Sequence, residues 1–318
     1  MLKSLRRAEE GKEGLEVYLD LTHGINYMSI LTYRVVKEIL EIFSIFDEVI
    51  FKAYNADPFS EFAEKLSINV IEDSKPTPTP FTEKAHNTKL KPLKGINLSP
   101  EESRKLFTEE LKTSGKVKAR ELSALIGALY NGFPLALFRF YPEEKEILRK
   151  AVMEVLEVYE QYVRVSMEDG KLRVERRTKM DRDLKICAYS YVIATLLDEL
   201  KLVSRRETEV PLNELIRLRE ELFKFDERLK ARISRDLFHD YLKKLDDLKE
   251  KVPDWPDWIP FSKLEDKEEC LPDPRNFHAH SGLEYCTVEV AKSGETFMVR
   301  YREDRIKNVA NFCQAGLK

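Results

Sequence analysis

Glycine is scarce in this chain, at 11 of 318 residues. Neither GxGxxG nor GxxxxGK[ST] occurs, which excludes the dinucleotide fingerprint and the phosphate-cradling P-loop. Glutamine is scarcer still, present only as Gln161 and Gln314. Charged residues reach 35% instead, above the usual ~25%, and a Lys/Glu-rich, amide-poor balance is the bias of thermophiles. The four cysteines, Cys187, Cys270, Cys286 and Cys313, form no CxxC pair. They read as buried thiols in a reducing cytoplasm and support neither a zinc site nor a disulfide framework. An excess of one charge is also missing. The net charge of −3, from 54 basic and 57 acidic side chains, argues against a broad basic coat for nucleic acid, so any polyanion must be met in a local pocket. Long apolar runs are absent too. The uncharged stretch 122–138 is shorter than the ~20 residues of a spanning helix. Asn131-Gly132-Phe133-Pro134 interrupts it, which predicts two buried helical pieces joined by a turn.

What is present divides at about residue 98. A strand over 15–19 (LEVYL) runs straight into Asp20-Leu21-Thr22-His23-Gly24-Ile25-Asn26. Apolar residues at helical spacing then predict a helix over 30–46, followed by strands over 48–54 and 67–71. Strand, helix, strand with nearly continuous apolar strands is the pattern of a parallel sheet. The proline-punctuated segment 75–98 reads as loop and linker. From Ser99 onward the pattern is helical, with helices predicted over 100–113, 117–131, 142–161, 184–203, 211–235 and 236–250. Hairpins are predicted around Asp169-Gly170 and Ser293-Gly294. The fold class expected is α/β plus mainly α. Its domains are a Rossmann-like module over 1–98, a helical connector over 99–140 and a helical domain with hairpin insertions over 141–318.

Two segments could carry chemistry. At 20–26 a strand enters a helix through Thr-His-Gly, which sets backbone N–H groups and a helix N-terminus at the carboxyl edge of a sheet, where anions bind in open α/β folds. Gly24 allows close approach, and Thr22, His23 and Asn26 can hydrogen-bond a phosphate or base. An ordinary strand–helix turn capped by Thr22 would look the same. The second segment is Pro272-Asp273-Pro274-Arg275-Asn276-Phe277-His278-Ala279-His280. A helix beginning near Arg275 puts Asn276 and His280 on one face. Histidine moves protons near neutral pH and arginine stabilises a phosphorane, so the set suits metal-free phosphodiester cleavage. A helix start whose Arg is ion-paired and whose histidines are packed is the plain alternative. Trp255 and Trp258 read as loop fasteners, His86 and His239 as non-catalytic, and the charged helices over 211–250 as solvated faces or a dimer surface.

Taken in order, DLTHGIN, NGFPLALF (131–138) and RNFHAHSG (275–282) resemble the CRISPR-associated ribonucleases that pair a CARF sensor with a HEPN domain, which accompany type III interference complexes. RNFHAH fits the R-x4-6-H signature of HEPN nucleases in its tightest form. The resemblance implies an endoribonuclease acting on single-stranded RNA without a metal or other cofactor. Arg275, Asn276 and His280 would be catalytic, with His278 a neighbour. It implies a CARF sensor that binds cyclic oligoadenylate, expected to be the tetra-adenylate, through Thr22, His23, Gly24 and Asn26. It also implies a cytoplasmic homodimer or higher homo-oligomer serving antiviral defence, with no membrane partner. Only nineteen residues precede the DLTHGIN element, fewer than the family's sensors have, so the sensor's N-terminal strands are expected to be missing here. The rival from another class is a non-catalytic nucleotide-sensing or RNA-binding regulator of the same fold.

Overall fold

Alternation of inward and outward side chains along two neighbouring strands explains how the first sheet is built. The computed structural model describes residues 14–22, 26–58, 61, 65–243, 245, 257–265, 270–294 and 296–315. They fall into two compact units, Met1–Thr79 and Pro80–Lys318. In the first, β1 (Leu15–Asp20) leads into helix α1 (Asn26–Phe43), then β2 (Val49–Ala56) and β3 (Ile68–Ser74). β1 and β2 are parallel, with Leu15 opposite Val49 and Asp20 opposite Tyr54. β2 is central and sends Val49, Phe51 and Ala53 into a core with Val36, Leu40 and Phe43 of α1. β3 runs antiparallel to β2, so the parallel pairing expected of strand, helix and strand holds for β1 and β2 and does not extend to β3. Tyr33, Lys37 and Ser74 all donate to the Glu72 carboxylate, tying α1 to β3. Burial opposes the charge on Glu72, but these donors outweigh it and hold the carboxyl below its ordinary range.

The second unit begins earlier than residue 99. Phe81 is buried against Tyr189, with ring centroids 4.8 Å apart. The backbone N–H groups of Ala85 and Lys91 donate to Ser123 and Asp183. The short β4 (Leu93–Gly95) pairs with β7 (Thr178–Met180). The proline-rich stretch therefore belongs with the helical unit, because its few apolar side chains find their core there. Helix α2 (Pro100–Lys105) opens on a capping box between Ser99 and Glu102, as a Ser-Pro-Glu-Glu start predicts. It gives way to a π-helical stretch, Leu106–Glu110. The Glu154 carboxylate then accepts from the backbone of Thr113 and Ser114, ending the segment.

Helices α3 (Ala119–Asn131) and α4 (Pro134–Phe140) are the two buried pieces expected around Asn131–Pro134, with Gly132 left-handed at φ +62° as the cap between them. No helix among the described residues is long and apolar enough to cross a membrane. Helices α5 (Lys145–Gln161) and α6 (Arg182–Glu199) flank the expected hairpin of β5 (Val163–Glu168) and β6 (Lys171–Arg176). The span 211–235 is two helices, α7 (Leu212–Glu221) and α8 (Glu227–Ser234), because Asp226 caps the second through the amides of Arg228 and Leu229. A π-helical stretch, Arg235–Leu242, continues α8. Helix α9 (Pro274–Ala279) and the hairpin of β10 (Val288–Ser293) and β11 (Thr296–Tyr301) follow, the hairpin flanked by β8 (Val210–Pro211) and β9 (Ile259–Pro260). Helix α10 (Ile306–Ala315) ends the described chain and lies directly on α3.

That last contact depends on a missing side chain. A Cβ at Gly127 would stand 2.1 Å from the Cys313 carbonyl oxygen, a backbone atom that cannot swing away. Gly127→Ala is expected to cost about 1–3 kcal/mol by overpacking and to lower the thermal midpoint by several degrees. Gly115→Ala, where nothing lies within 4 Å, should leave the midpoint nearly unchanged in the same calorimetric scan.

Candidate active site

The RNFHAH segment forms a helix of only six residues. Asp273 caps it by accepting from the Asn276 amide at 2.8 Å, and Pro274 takes the first helical position. Ser281 and Gly282 follow in left-handed conformations, φ +49° and +78°, which turns the chain sharply at the helix end. Glycine is required at the second, since a Cβ there would meet Phe133 Cβ at 2.9 Å. Phe277 is buried among Phe133, Phe312 and Tyr301, with ring centroids 5.0–6.2 Å apart. That anchor turns Arg275 and Asn276 outward, where both are exposed. His280 N–H donates to the Asn276 carbonyl at 2.9 Å, so the two side chains stand one turn apart on a common face.

His280 is 30% exposed and its Nδ1 lies 3.5 Å from Oδ1 of Asp236, whose side chain is 1% exposed. The other oxygen of Asp236 accepts from the Ser281 hydroxyl at 2.6 Å. Arg232 Nε donates to that hydroxyl at 3.2 Å, and Arg235 caps the helix end by donating to the Ala279 carbonyl at 2.7 Å. Burial lowers the Arg232 pKa, and the nearby Asp236 charge offsets this only in part. A buried carboxylate facing Nδ1 favours the tautomer with its proton there, leaving Nε2 able to exchange protons. Asp236 lies in the segment read from sequence as a solvated charged face. The folded chain brings it to both His280 and Ser281.

His278 points inward. Its Nε2 donates to the Phe312 carbonyl at 2.9 Å and Phe133 meets its ring edge-on. Burial pushes its pKa down, with the Phe312 carbonyl opposing. Glu284 is fully buried and neither carboxyl oxygen has a hydrogen-bond partner of good geometry. Burial pushes its pKa up to about 7; the Asp273 backbone and Thr287 hydroxyl stand close enough to offset this only in part. Cys270 and Cys286 are joined in a disulfide. This corrects the reading of four thiols: Cys187 and Cys313 are free and buried, while the other two meet across the 270–286 loop, a pairing that spacing alone does not reveal. Cys270, Glu284 and Cys286 form the one group of metal-ligand type among the described residues, but both sulfurs are spent on each other.

At the other motif, the Thr22 amide donates to Asp20 Oδ1 at 2.8 Å, and the Thr22 hydroxyl accepts from the Ala56 amide at 2.9 Å. Thr22 therefore stitches the ends of β1 and β2 together. His23 and Gly24 lie outside the described residues, and Asn26 begins α1 with its side chain likewise outside them. Trp258 lies against Arg300, 4.0 Å from guanidinium carbon to ring centroid, consistent with a fastener; Trp255 and the His239 side chain are outside the described residues. His86 meets Arg182 at 2.7 Å.

Two domain models match the chain: CRISPR system endoribonuclease Csx1, CARF domain, over residues 1–58, and CRISPR system endoribonuclease Csx1, HEPN domain, over residues 226–303. The second match contains Asp236, the RNFHAH helix and Glu284. A CRISPR system endoribonuclease Csx1 of Methanocaldococcus jannaschii is 28% identical over 301 residues, covering 88% of this chain and 60% of that protein. The chain thus spans about 60% of the length of this curated relative.

Glu284 makes stability depend on pH. Its folded pKa is raised from an ordinary 4.5 to about 7, so its contribution is fully present below about 4.5 and is lost as pH rises through 7. At ~1.4 kcal/mol per unit, the loss is of order 3 kcal/mol. His278 acts oppositely, its contribution present above 6.5 and lost as pH falls. The melting temperature of Glu284→Gln relative to wild type should therefore be higher at pH 8 than at pH 5. A difference independent of pH would contradict the assignment.

Proposed function

From a chain that belongs to the CARF–HEPN family of CRISPR-associated proteins, we propose a metal-independent endoribonuclease that cleaves single-stranded RNA under the control of a cyclic oligoadenylate. The observation that carries this reading is the pairing of exposed Arg275 and Asn276 with a partly exposed His280, backed on Nδ1 by buried Asp236. In the reaction the 2′-hydroxyl of one nucleotide attacks the adjacent phosphorus in line. The 5′-oxygen leaves, giving a 2′,3′-cyclic phosphate and a 5′-hydroxyl. His280 transfers a proton through Nε2, Asp236 steadies the imidazole and its developing charge, Arg275 stabilises the charged phosphorane, and Asn276 orients the phosphate. No step in this scheme needs a Lewis acid, since the guanidinium and the imidazole supply charge and proton.

The HEPN units of two chains would face each other, so that each contributes its Arg275, Asn276 and His280 to one cleft. The CARF unit would take the activator, expected to be cyclic tetra-adenylate, at the DLTHGIN junction, with Thr22, His23, Gly24 and Asn26 as contacts and the α1 N-terminus favouring phosphate. The setting is cytoplasmic, in type III CRISPR antiviral defence.

Cleavage of single-stranded RNA in EDTA, with and without cyclic tetra-adenylate, tests the reading. His280→Ala should lose about 10²–10⁴-fold in rate, and Asp236→Asn should lose activity with a changed pH profile. Equal cleavage by wild type and His280→Ala would remove His280 from the chemistry. RNA or ligand binding without turnover would instead favour a regulatory protein of the same fold. Sedimentation at micromolar concentration should give a dimer; a monomer would undercut the shared cleft.

A further inference from the structure

The Cys270–Cys286 bond encloses the whole RNFHAH helix. Its ends are 16 residues apart in sequence, and Arg275, Asn276, His280 and Glu284 all lie between them. Within this loop the one helix has six residues, far too few to persist by its own hydrogen bonds. Its two ends are held differently. After the helix, Ser281 is bonded to Asp236, the Gly282 carbonyl accepts from Tyr301, and the Leu283 carbonyl accepts from Tyr241. Before the helix, residues 270–273 have no regular structure and Leu271 is 82% exposed. There the covalent tie runs from partly exposed Cys270 to buried Cys286. His280 sits on the firmly held end and Arg275 on the end held by sulfur.

We propose that Cys270 and Cys286 form a redox-set clamp that positions Arg275 against His280, a role that rests on the ribonuclease reading above. Closed, the bond limits the excursions of the helix N-terminus; open, it leaves that end to the Asp273 cap. Closure removes two protons and two electrons from the thiols and delivers them to a small-molecule disulfide, which leaves as two thiols. Opening by a dithiol reverses this through a mixed disulfide at Cys270, the more accessible sulfur, with Cys286 as the leaving thiol. Cys187 and Cys313 take no part, being buried with their thiol pKa values pushed up by desolvation.

The test compares full-length protein equilibrated with oxidised glutathione or with dithiothreitol. Alkylation after denaturation, read by mass spectrometry, should find two free cysteines in the oxidised protein and four in the reduced. Amide exchange of peptides covering 274–283 should quicken on the order of tenfold or more on reduction. Cys270→Ser should show the faster exchange in both conditions. RNA cleavage should lose on the order of tenfold in kcat on reduction, recover on reoxidation, and in Cys270→Ser ignore the redox state. Four free cysteines in the oxidised protein, or exchange that reduction does not change, would overturn the clamp. If no form of the protein cleaves RNA, the ribonuclease reading fails while thiol count and exchange still judge the clamp.

Discussion

Phe277 is the side chain on which the arrangement of the site depends. A helix of six residues has one interior turn and little capacity to hold itself, so its orientation is set by what it buries. Phe277 goes to zero exposure among Phe133, Phe312 and Tyr301, and full burial of such a side chain is worth roughly 2–3 kcal/mol. Everything else on the helix follows from that choice of face: His278 is drawn inward to the Phe312 carbonyl, while Arg275 and Asn276 are turned to solvent. The same ring system explains the close approach of Gly282 to Phe133 and so the sharp turn that delivers Ser281 to Asp236.

Two buried carboxyls beside this helix meet opposite fates. Asp236 is inside the protein but is met by the Ser281 hydroxyl and by the His280 imidazole, with Arg235 at 3.4 Å. Such compensation is what allows a charge to remain inside a protein. Glu284 is equally buried, has no donor of good geometry, and responds by holding its proton toward neutrality. Asp236 thereby finds partners for both of its oxygens inside the protein, whereas Glu284 is pushed toward its protonated form, the cheaper way to leave water.

The smaller unit shows the same reasoning at the level of a sheet. β2 is buried because it lies between β1 and β3 and beneath α1. β1 alternates between half-buried and exposed residues, and Ile68 and Val70 of β3 are open to solvent. Glu72 links α1 to the antiparallel edge through Tyr33 and Lys37, so the helix is held by polar contacts where the apolar contact ends.

Much of this was legible in local pattern. Periodicity placed β1, α1, β2 and most helices, Asn131–Pro134 marked the break between α3 and α4, Asp169-Gly170 and Ser293-Gly294 marked the hairpins, and RNFHAH marked the helix with its Arg, Asn and His. These are short-range properties, in which a residue's neighbours in sequence are also its neighbours in space. The reversal of β3, the attachment of 80–98 to the helical unit, the Asp236–His280 contact and the Cys270–Cys286 bond were decided only by tertiary structure. Each joins residues far apart along the chain or depends on which of two available faces is buried, and neither spacing nor composition carries that information. The scarcity of glycine shows both sides of this. It excluded nucleotide-binding loops at once, yet only the packed structure reveals why Gly127 and Gly282 must be among the few that remain: each lies where another part of the chain leaves no room for a Cβ.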